Sequence, residues 1–413
     1  MRKVELLSPA GGFDSMKAAI NAGANAVYFG VEQLNMRTRS AEGFSVNDIE
    51  EVAKLCHAYG VKAYITLNTV MYDHDMQLLR NILQQVKQHG IDAVIAADFA
   101  VLQVCQQMQI PLHVSTQANI SNFEAVKFFA PFADVVVLAR ELTLQQMTAI
   151  ARDIRRYNIR GVSGEPLKIE VFVHGALCMA VSGKCYMSLH TQNASANRGA
   201  CMQPCRRPYK VTDTETGEEL LIDNEYIMSP KDLCTIGVLD QLIAAGVDVL
   251  KIEGRSKGSE YVHIVTQCYR EAMEAVADGT YTPEKIKVWE AELETVYNRG
   301  FWEGYYLGRE LGEWTTRPGS IATQKKVFIG RGSKYYNNIQ VGEFDIETGS
   351  LKKGDTIIVT GKTHGMYRTE LSSLMVNGEP AESASRGDKL TLKMDTKVAP
   401  SDKLYKLVAS ADA

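Results

Sequence analysis

Long hydrophobic runs are missing from this chain of 413 residues. No apolar stretch approaches the roughly 20 residues that cross a bilayer as a helix, which argues against a membrane-spanning protein. The start, Met1 to Leu7, runs straight into a strand-like pattern and lacks the apolar core of a secretory signal. A cytoplasmic location is therefore expected, where thiols stay reduced. An excess of positive charge is also missing. Lys and Arg number 45 against 49 Asp and Glu, a net charge of −4, so no global footprint for nucleic acid is present.

Several catalytic signatures are absent too. There is no HExxH, which leaves zinc-peptidase chemistry unsupported. There is no GxSxG; Gly161-Val-Ser-Gly-Glu-Pro lacks the second spacer and does not sit between a strand and a helix. Neither GxGxxG nor GxxxxGK[ST] occurs, which removes the usual dinucleotide and P-loop phosphate cradles.

What is present is regular. Hydrophobic content of 45% and charged content of 23% suit an ordinary globular protein. Eight short apolar runs recur: 4–8, 26–30, 62–67, 93–97, 112–115, 135–138, 169–173 and 249–252. Amphipathic stretches such as 47–59, 75–89 and 143–157 lie between them. Apolar strands alternating with helices imply a parallel sheet covered by helices, and eight of them favour a TIM-like (β/α)8 barrel over an open sheet. The fragments 21–27 and 244–250 share one pattern of helix end, glycine and strand, as repeated units would.

One connection breaks the rhythm. About 75 residues separate the seventh and eighth runs, and 176–228 reads as an insertion. A polar-turned hairpin is expected over 211–220, and Ser229-Pro230 is expected to open the next helix as cap and first-turn proline. The barrel is thus assigned to 1–256, and a helical extension with a glycine- and aromatic-rich connector to 257–324. A small antiparallel β-barrel is assigned to 325–413, where short β runs alternate with turns. That last segment holds 14 Lys and Arg against 11 Asp and Glu, a mild basic excess that permits RNA contact.

In such a barrel the reactive face is the carboxyl end of the strands. The residues found there are Ser8, Asn35, Arg37, Arg39, Asn68, Asp98, Ser115, Gln117, Asn119, Arg140, Glu141, His174, Glu253 and Arg255. Some would serve as helix caps or hold loop backbone. Arginines recur after strands two, six and eight, and guanidinium forks bind carboxylate or phosphate, so a small anionic substrate is expected.

The insertion gathers Cys178, Cys185, Cys201 and Cys205 in the spacing C-x6-C-x15-C-x3-C. Thiolates so gathered hold a soft metal; both zinc and an iron–sulfur cluster suit them, the loose spacing favouring the cluster. Arg198, Arg206 and Arg207 stand beside these cysteines, either to balance thiolate charge or to meet substrate phosphate. Cys56, Cys105, Cys234 and Cys268 lie in helical patterns and read as small buried residues.

The stretch Glu170 to Ser188, with its segment HGALCMAVSGKCYMS, resembles the marker of the collagenase-like peptidase family of unassigned catalytic type, family U32. Leu6-Leu-Ser-Pro-Ala-Gly, Ser115-Thr-Gln, Arg198-Gly-Ala-Cys-Met-Gln-Pro-Cys-Arg and Lys251-Ile-Glu-Gly-Arg match as well, so the resemblance covers nearly the whole chain. It implies an oxygen-independent hydroxylase rather than a peptidase. Cys178, Cys185, Cys201 and Cys205 would hold a 4Fe-4S cluster, and prephenate would supply the hydroxyl group. The nearest branch converts the wobble uridine in the tRNA anticodon loop to 5-hydroxyuridine. From the positions of the strand ends, Arg140, Arg255 or Arg37 would hold the dicarboxylate, with Gln117, Glu253 and Arg198 near the substrate. His174 would move a proton, and an electron-transfer partner is expected. The alternatives are a peptidase, as the family name states, or a hydroxylase of a ribosomal RNA cytidine.

Overall fold

The computed structural model describes residues 3–410 apart from 32, 38–42, 210–211, 213, 218–227 and 309–312. Eight strands form the expected parallel barrel: β1 (Glu5–Pro9), β2 (Ala26–Gly30), β3 (Lys62–Thr66), β4 (Ala93–Ala96), β5 (Leu112–Val114), β6 (Val135–Val137), β7 (Lys168–Gly175) and, after a short extra strand β8 (Asp232–Cys234), β9 (Val249–Ile252). Neighbours pair in order, and β9 closes the ring by pairing with both β7 and β1. The apolar runs are strands because both of their faces are covered; every residue of β2, β4 and β9 is buried.

The helices α1 (Phe13–Asn21), α2 (Ile49–Ala58), α3 (Met76–His89), α4 (Phe99–Met108), α5 (Phe123–Phe129) and α6 (Leu144–Arg156) alternate with the strands, and α7 (Met187–Gln192) lies in the insertion. Helices α8 (Leu239–Ala245) and α9 (Ser259–Ala277) complete the ring, with α9 against α1, α8 and β1. The expected boundary at 256 places α9 in an extension, but its packing against α1, α8 and β1 makes it the barrel's eighth helix. Helix α3 buries Leu79, Ile82, Leu83 and Val86 at helical spacing. Gly23 and Gly246, the shared glycines of the two repeated fragments, both have positive φ just past a helix, as the glycine-cap reading requires.

Ser229-Pro230 does not open a helix. Strand β8 follows instead, antiparallel to the end of β7 and parallel to the short strand β10 (Phe301–Trp302). The physical reason is that β7 continues to Gly175, well past its last pair with β6 at Glu170, and offers a free edge there. Thr235 continues the ladder by donating to the Val173 carbonyl at 3.1 Å, and Asp232 is fixed by a buried ion pair with Arg299 at 2.9 Å. Helix α8 begins only at Leu239. The hairpin expected over 211–220 lies largely outside the described residues.

The C-terminal segment is all β, as expected. Eight antiparallel strands lie in the spatial order Gly365–Glu370, Thr356–Gly361, Lys403–Ala409, Gln324–Tyr336, Val341–Ile346, Lys389–Lys393, Leu374–Val376 and Glu379–Ala381. They enclose their own core, centred on Ile329, Phe344, Ile357, Leu390 and Leu404. Ile358 and Met366 instead join the barrel's core. There Gly365, at φ +74°, lies so close to α1 that an added Cβ would overlap the Ala18 backbone. No helix among the described residues is long and apolar enough to cross a membrane.

Candidate active site

The strand ends converge on a mouth rich in arginine. Arg37, in the loop after β2, reaches Glu253, just past β9, at 2.8 Å. Arg255 is buried and donates to Thr66 Oγ1 at 2.6 Å and Asn35 Oδ1 at 3.1 Å. The Asn35 oxygen also accepts the Arg37 backbone N–H at 3.0 Å, so one amide orients two arginine-bearing segments. Gly30 has no side chain because one would overlap both Asn35 and Arg255. Arg140 lies 4.0 Å from the centre of the Phe172 ring and donates to the Ala176 carbonyl at 3.0 Å, while its Nε is buried without a hydrogen-bond partner. Burial pushes the Glu253 carboxyl up, but Arg37, Arg140 and Arg255 outweigh it and hold it below the usual carboxylate range. Burial pushes Arg255 down to about 10, which leaves it charged at neutral pH. The structure therefore brings Arg37, Arg140, Glu253 and Arg255 together.

Below the mouth, the barrel interior carries charge. Lys251 on β9 meets Glu170 on β7 at 2.6 Å, and His113 Nδ1 lies 3.4 Å from the other carboxylate oxygen. Lys251 also sits 4.7 Å from the Tyr28 ring centre and 5.4 Å from that of Phe172. Glu170 and Lys251 were not singled out from the sequence, although each is a charge inside an apolar run. Two opposite charges in runs that become adjacent strands were the available clue. Lys257 was missed as well: its ammonium lies 3.0 Å from the Tyr297 ring centre, and burial pushes it down to about 8.

The cysteine loop lies over the same mouth. All eight cysteines are free thiols; Cys178 is exposed, Cys185, Cys201 and Cys205 are half-buried, and Cys56, Cys105, Cys234 and Cys268 are buried, as expected of core residues. Burial pushes the Cys205 thiol up, Arg206 opposes this, and Cys178, Cys201 and Cys185 push it further up, so the four share one electrostatic neighbourhood. Cys178 and Cys201 lie close enough to Arg37 to act on its charge. Among the described residues no three His, Cys, Asp or Glu side chains are grouped to hold a metal ion.

Other polar groups hold this loop in place. Arg206 donates to the Leu177 carbonyl at 2.6 Å and to Ser229 Oγ at 3.0 Å, tying the two ends of the insertion together. Gln117 accepts from Ser115 and packs against Gly183 of the loop, where a side chain would collide with it. Asp98 caps α4 and also accepts from Met71 N–H at 2.9 Å. Arg198 is a correction to the substrate role expected of it. Its guanidinium is bound at both ends by Asp75, donates to the Val70 carbonyl at 2.8 Å and covers the Tyr72 ring. The fork is already occupied, so Arg198 fastens the insertion to the loop after β3. Arg39 lies outside the described residues.

The family model for peptidase family U32 matches residues 11–316. The chain belongs to peptidase family U32. This U32 chain is 51% identical to a collagenase of Porphyromonas gingivalis over 97% of each chain. It is 29% identical to tRNA hydroxylation protein P1 of Bacillus subtilis, over 98% of this chain and 95% of that one. It is 37% identical to the 23S rRNA 5-hydroxycytidine C2501 synthase of Escherichia coli, over 67% of this chain and 40% of that longer protein.

His174 corrects a second expectation for the U32 chain. It lies one residue before the end of β7 but does not face the mouth. Its ring is buried among Tyr261 and Tyr269 of α9 and Phe301 of β10, at centroid distances of 6.0, 5.6 and 5.4 Å. The ladder slips between Phe172 and His174, which breaks the in–out alternation and turns the ring towards the helices. Burial pushes the imidazole down to about 3, so it is neutral and cannot trade protons at neutral pH. The consequence for stability is specific. As pH falls from 6.5 towards 3, the unfolded histidine is protonated and the folded one is not, so stability drops by about 1.4 kcal/mol per pH unit in that window. His174→Phe is expected to flatten this acid limb. Urea midpoints at several pH values between 7 and 4 check it, and an unchanged slope refutes it.

Proposed function

We propose that this chain is an oxygen-independent RNA hydroxylase that converts the wobble uridine of tRNA to 5-hydroxyuridine. In this reading Cys178, Cys185, Cys201 and Cys205 hold a 4Fe-4S cluster, and prephenate, a small dicarboxylate, occupies the arginine mouth as the hydroxyl source. The observation that carries the proposal is that cysteines of the insertion and three guanidiniums act on one another's charge at one barrel mouth. The donor set suits an iron–sulfur cluster: Cys178, Cys201 and Cys185 push the Cys205 thiol up, and binding cationic iron would relieve that repulsion. A bound cluster supplies one-electron redox capacity beside the substrate.

The remaining work falls to the chain's own residues. Arg37, Arg140 and Arg255 give the mouth a positive field suited to two carboxylates. Glu253 orients Arg37 and keeps one side of the mouth from binding anions indiscriminately. The target base must leave its stack to reach such a recessed site, which favours a single-stranded anticodon loop. The match over nearly all of the tRNA hydroxylation protein, against two-fifths of the rRNA synthase, supports tRNA over rRNA.

The name collagenase borne by other relatives keeps a peptidase reading in view. That reading needs an activated nucleophile, and among the described residues no serine or cysteine side chain is hydrogen-bonded to a histidine. Cys201→Ala, purified without oxygen, is expected to lose its iron and sulfide and to restore no 5-hydroxyuridine to the tRNA of a deletion strain. Elemental analysis, the visible spectrum and nucleoside mass spectrometry read this out. A colourless wild-type protein with stoichiometric zinc, or hydroxyuridine levels indifferent to the gene, overturns the proposal.

A further inference from the structure

We infer that the outer face of the cysteine loop is a docking surface for single-stranded RNA, on which Tyr186 stacks against a base next to the one modified. The inference rests on the RNA-hydroxylase reading and adds the surface that would hold the strand. Three of the four clustered cysteines are each followed by a large apolar side chain left in solvent: Met179, Tyr186 and Met202 are 49%, 70% and 43% exposed. Val181 and Leu189 extend the patch. Exposed apolar groups gathered at a site mouth mark a surface that something covers.

Charge identifies the occupant. Residues 176–209 contain Lys184, Arg198, Arg206 and Arg207 and no Asp or Glu, in a chain where acidic residues outnumber basic ones. Arg198 and Arg206 are spent on holding the loop, as described above. Lys184 and Arg207 are exposed and form no ion pair among the described residues. An exposed aromatic ring on a face with unpaired cations suits a strand in which bases alternate with phosphates. A protein partner would instead favour an apolar centre depleted in lysine. The face is continuous with the mouth, because Gly183 rests on Gln117 and the Cys185 N–H donates to Asn197 Oδ1 at 3.3 Å, beside the Arg198 tether to Val70.

The test uses the full-length protein purified without oxygen and a fluorescein-labelled tRNA anticodon stem–loop, titrated by anisotropy. Tyr186→Ala is expected to weaken binding about 10-fold or more at unchanged iron content, whereas Tyr186→Phe, which keeps the ring, binds like wild type. Lys184→Gln and Arg207→Gln are each expected to reduce the salt slope of binding by about 0.7. Because Tyr186 adjoins Cys185, a second measurement needs no substitution. Ultraviolet crosslinking of a 4-thiouridine stem–loop to wild type is expected to label peptides within 176–209. Tyr186→Ala binding as tightly as wild type, or crosslinks confined to other segments, overturns the docking surface alone. A wild-type protein that binds no stem–loop overturns the RNA reading beneath it. Loss of a protein partner by the Tyr186 variant, with RNA binding intact, assigns the face to that partner and also overturns the inference.

Discussion

Lys251→Met is expected to destabilise the fold by about 3–5 kcal/mol, read as a fall in the urea midpoint at neutral pH. The substitution keeps an unbranched chain only one heavy atom shorter and removes the ammonium. Glu170 is fully buried and Lys251 is 3% exposed, so neither can turn to water when its partner is lost. In the wild type, burial pushes the Glu170 carboxyl up, but Lys251 and His113 outweigh it and hold it well below its ordinary value of 4.5. That pairing contributes stability above pH 4.5, and the contribution fades as pH falls below it. With Lys251 gone, burial dominates and Glu170 is most costly when ionised. The variant is therefore most impaired at neutral pH and recovers, relative to wild type, in acid. Glu170→Leu combined with Lys251→Met removes both charges and is expected to regain most of the loss. Strict additivity of the two single effects would show that the pair is not coupled.

This pair also marks the limit of what the sequence disclosed. The apolar runs and glycine caps were enough to assign eight strands and their closure, because burial on both faces leaves a local imprint. Glu170 and Lys251 lie 81 positions apart and become partners only when β9 closes the ring against β7. The gathering of Cys178, Cys185, Cys201 and Cys205 is a local feature that the sequence displays directly. The fate of Arg198 was not legible there, since Asp75 is 123 positions away. His174 was misjudged because a strand end was taken to face the mouth, whereas a one-residue slip in the ladder reverses the side a residue faces. Ser229-Pro230 carried sound local helix-start chemistry that lost to the free edge of β7. In each case the error lies where a long-range pairing outweighs a local preference.

Arg255→Lys is expected to lower kcat/KM for the dicarboxylate about 100-fold, chiefly through KM, with little change in thermal midpoint. Lysine keeps the charge but loses the planar fork. The wild-type guanidinium is fixed by Thr66 and Asn35 at one nitrogen, and its remaining N–H groups are expected to meet the substrate carboxylate. An ammonium could satisfy Thr66 or meet the substrate, but it could not span both. Arg198→Lys is the matched control. Its fork binds Asp75 and Val70, so the same exchange there is expected to lower the stability of the insertion and leave the KM for dicarboxylate near wild type. Steady-state kinetics with the dicarboxylate varied at saturating RNA, alongside melting curves, separates the two. If both arginines shift KM alike, the mouth does not bind the anion through Arg255. A positive field alone would tolerate Arg255→Lys; a site that reads the geometry of a carboxylate would not.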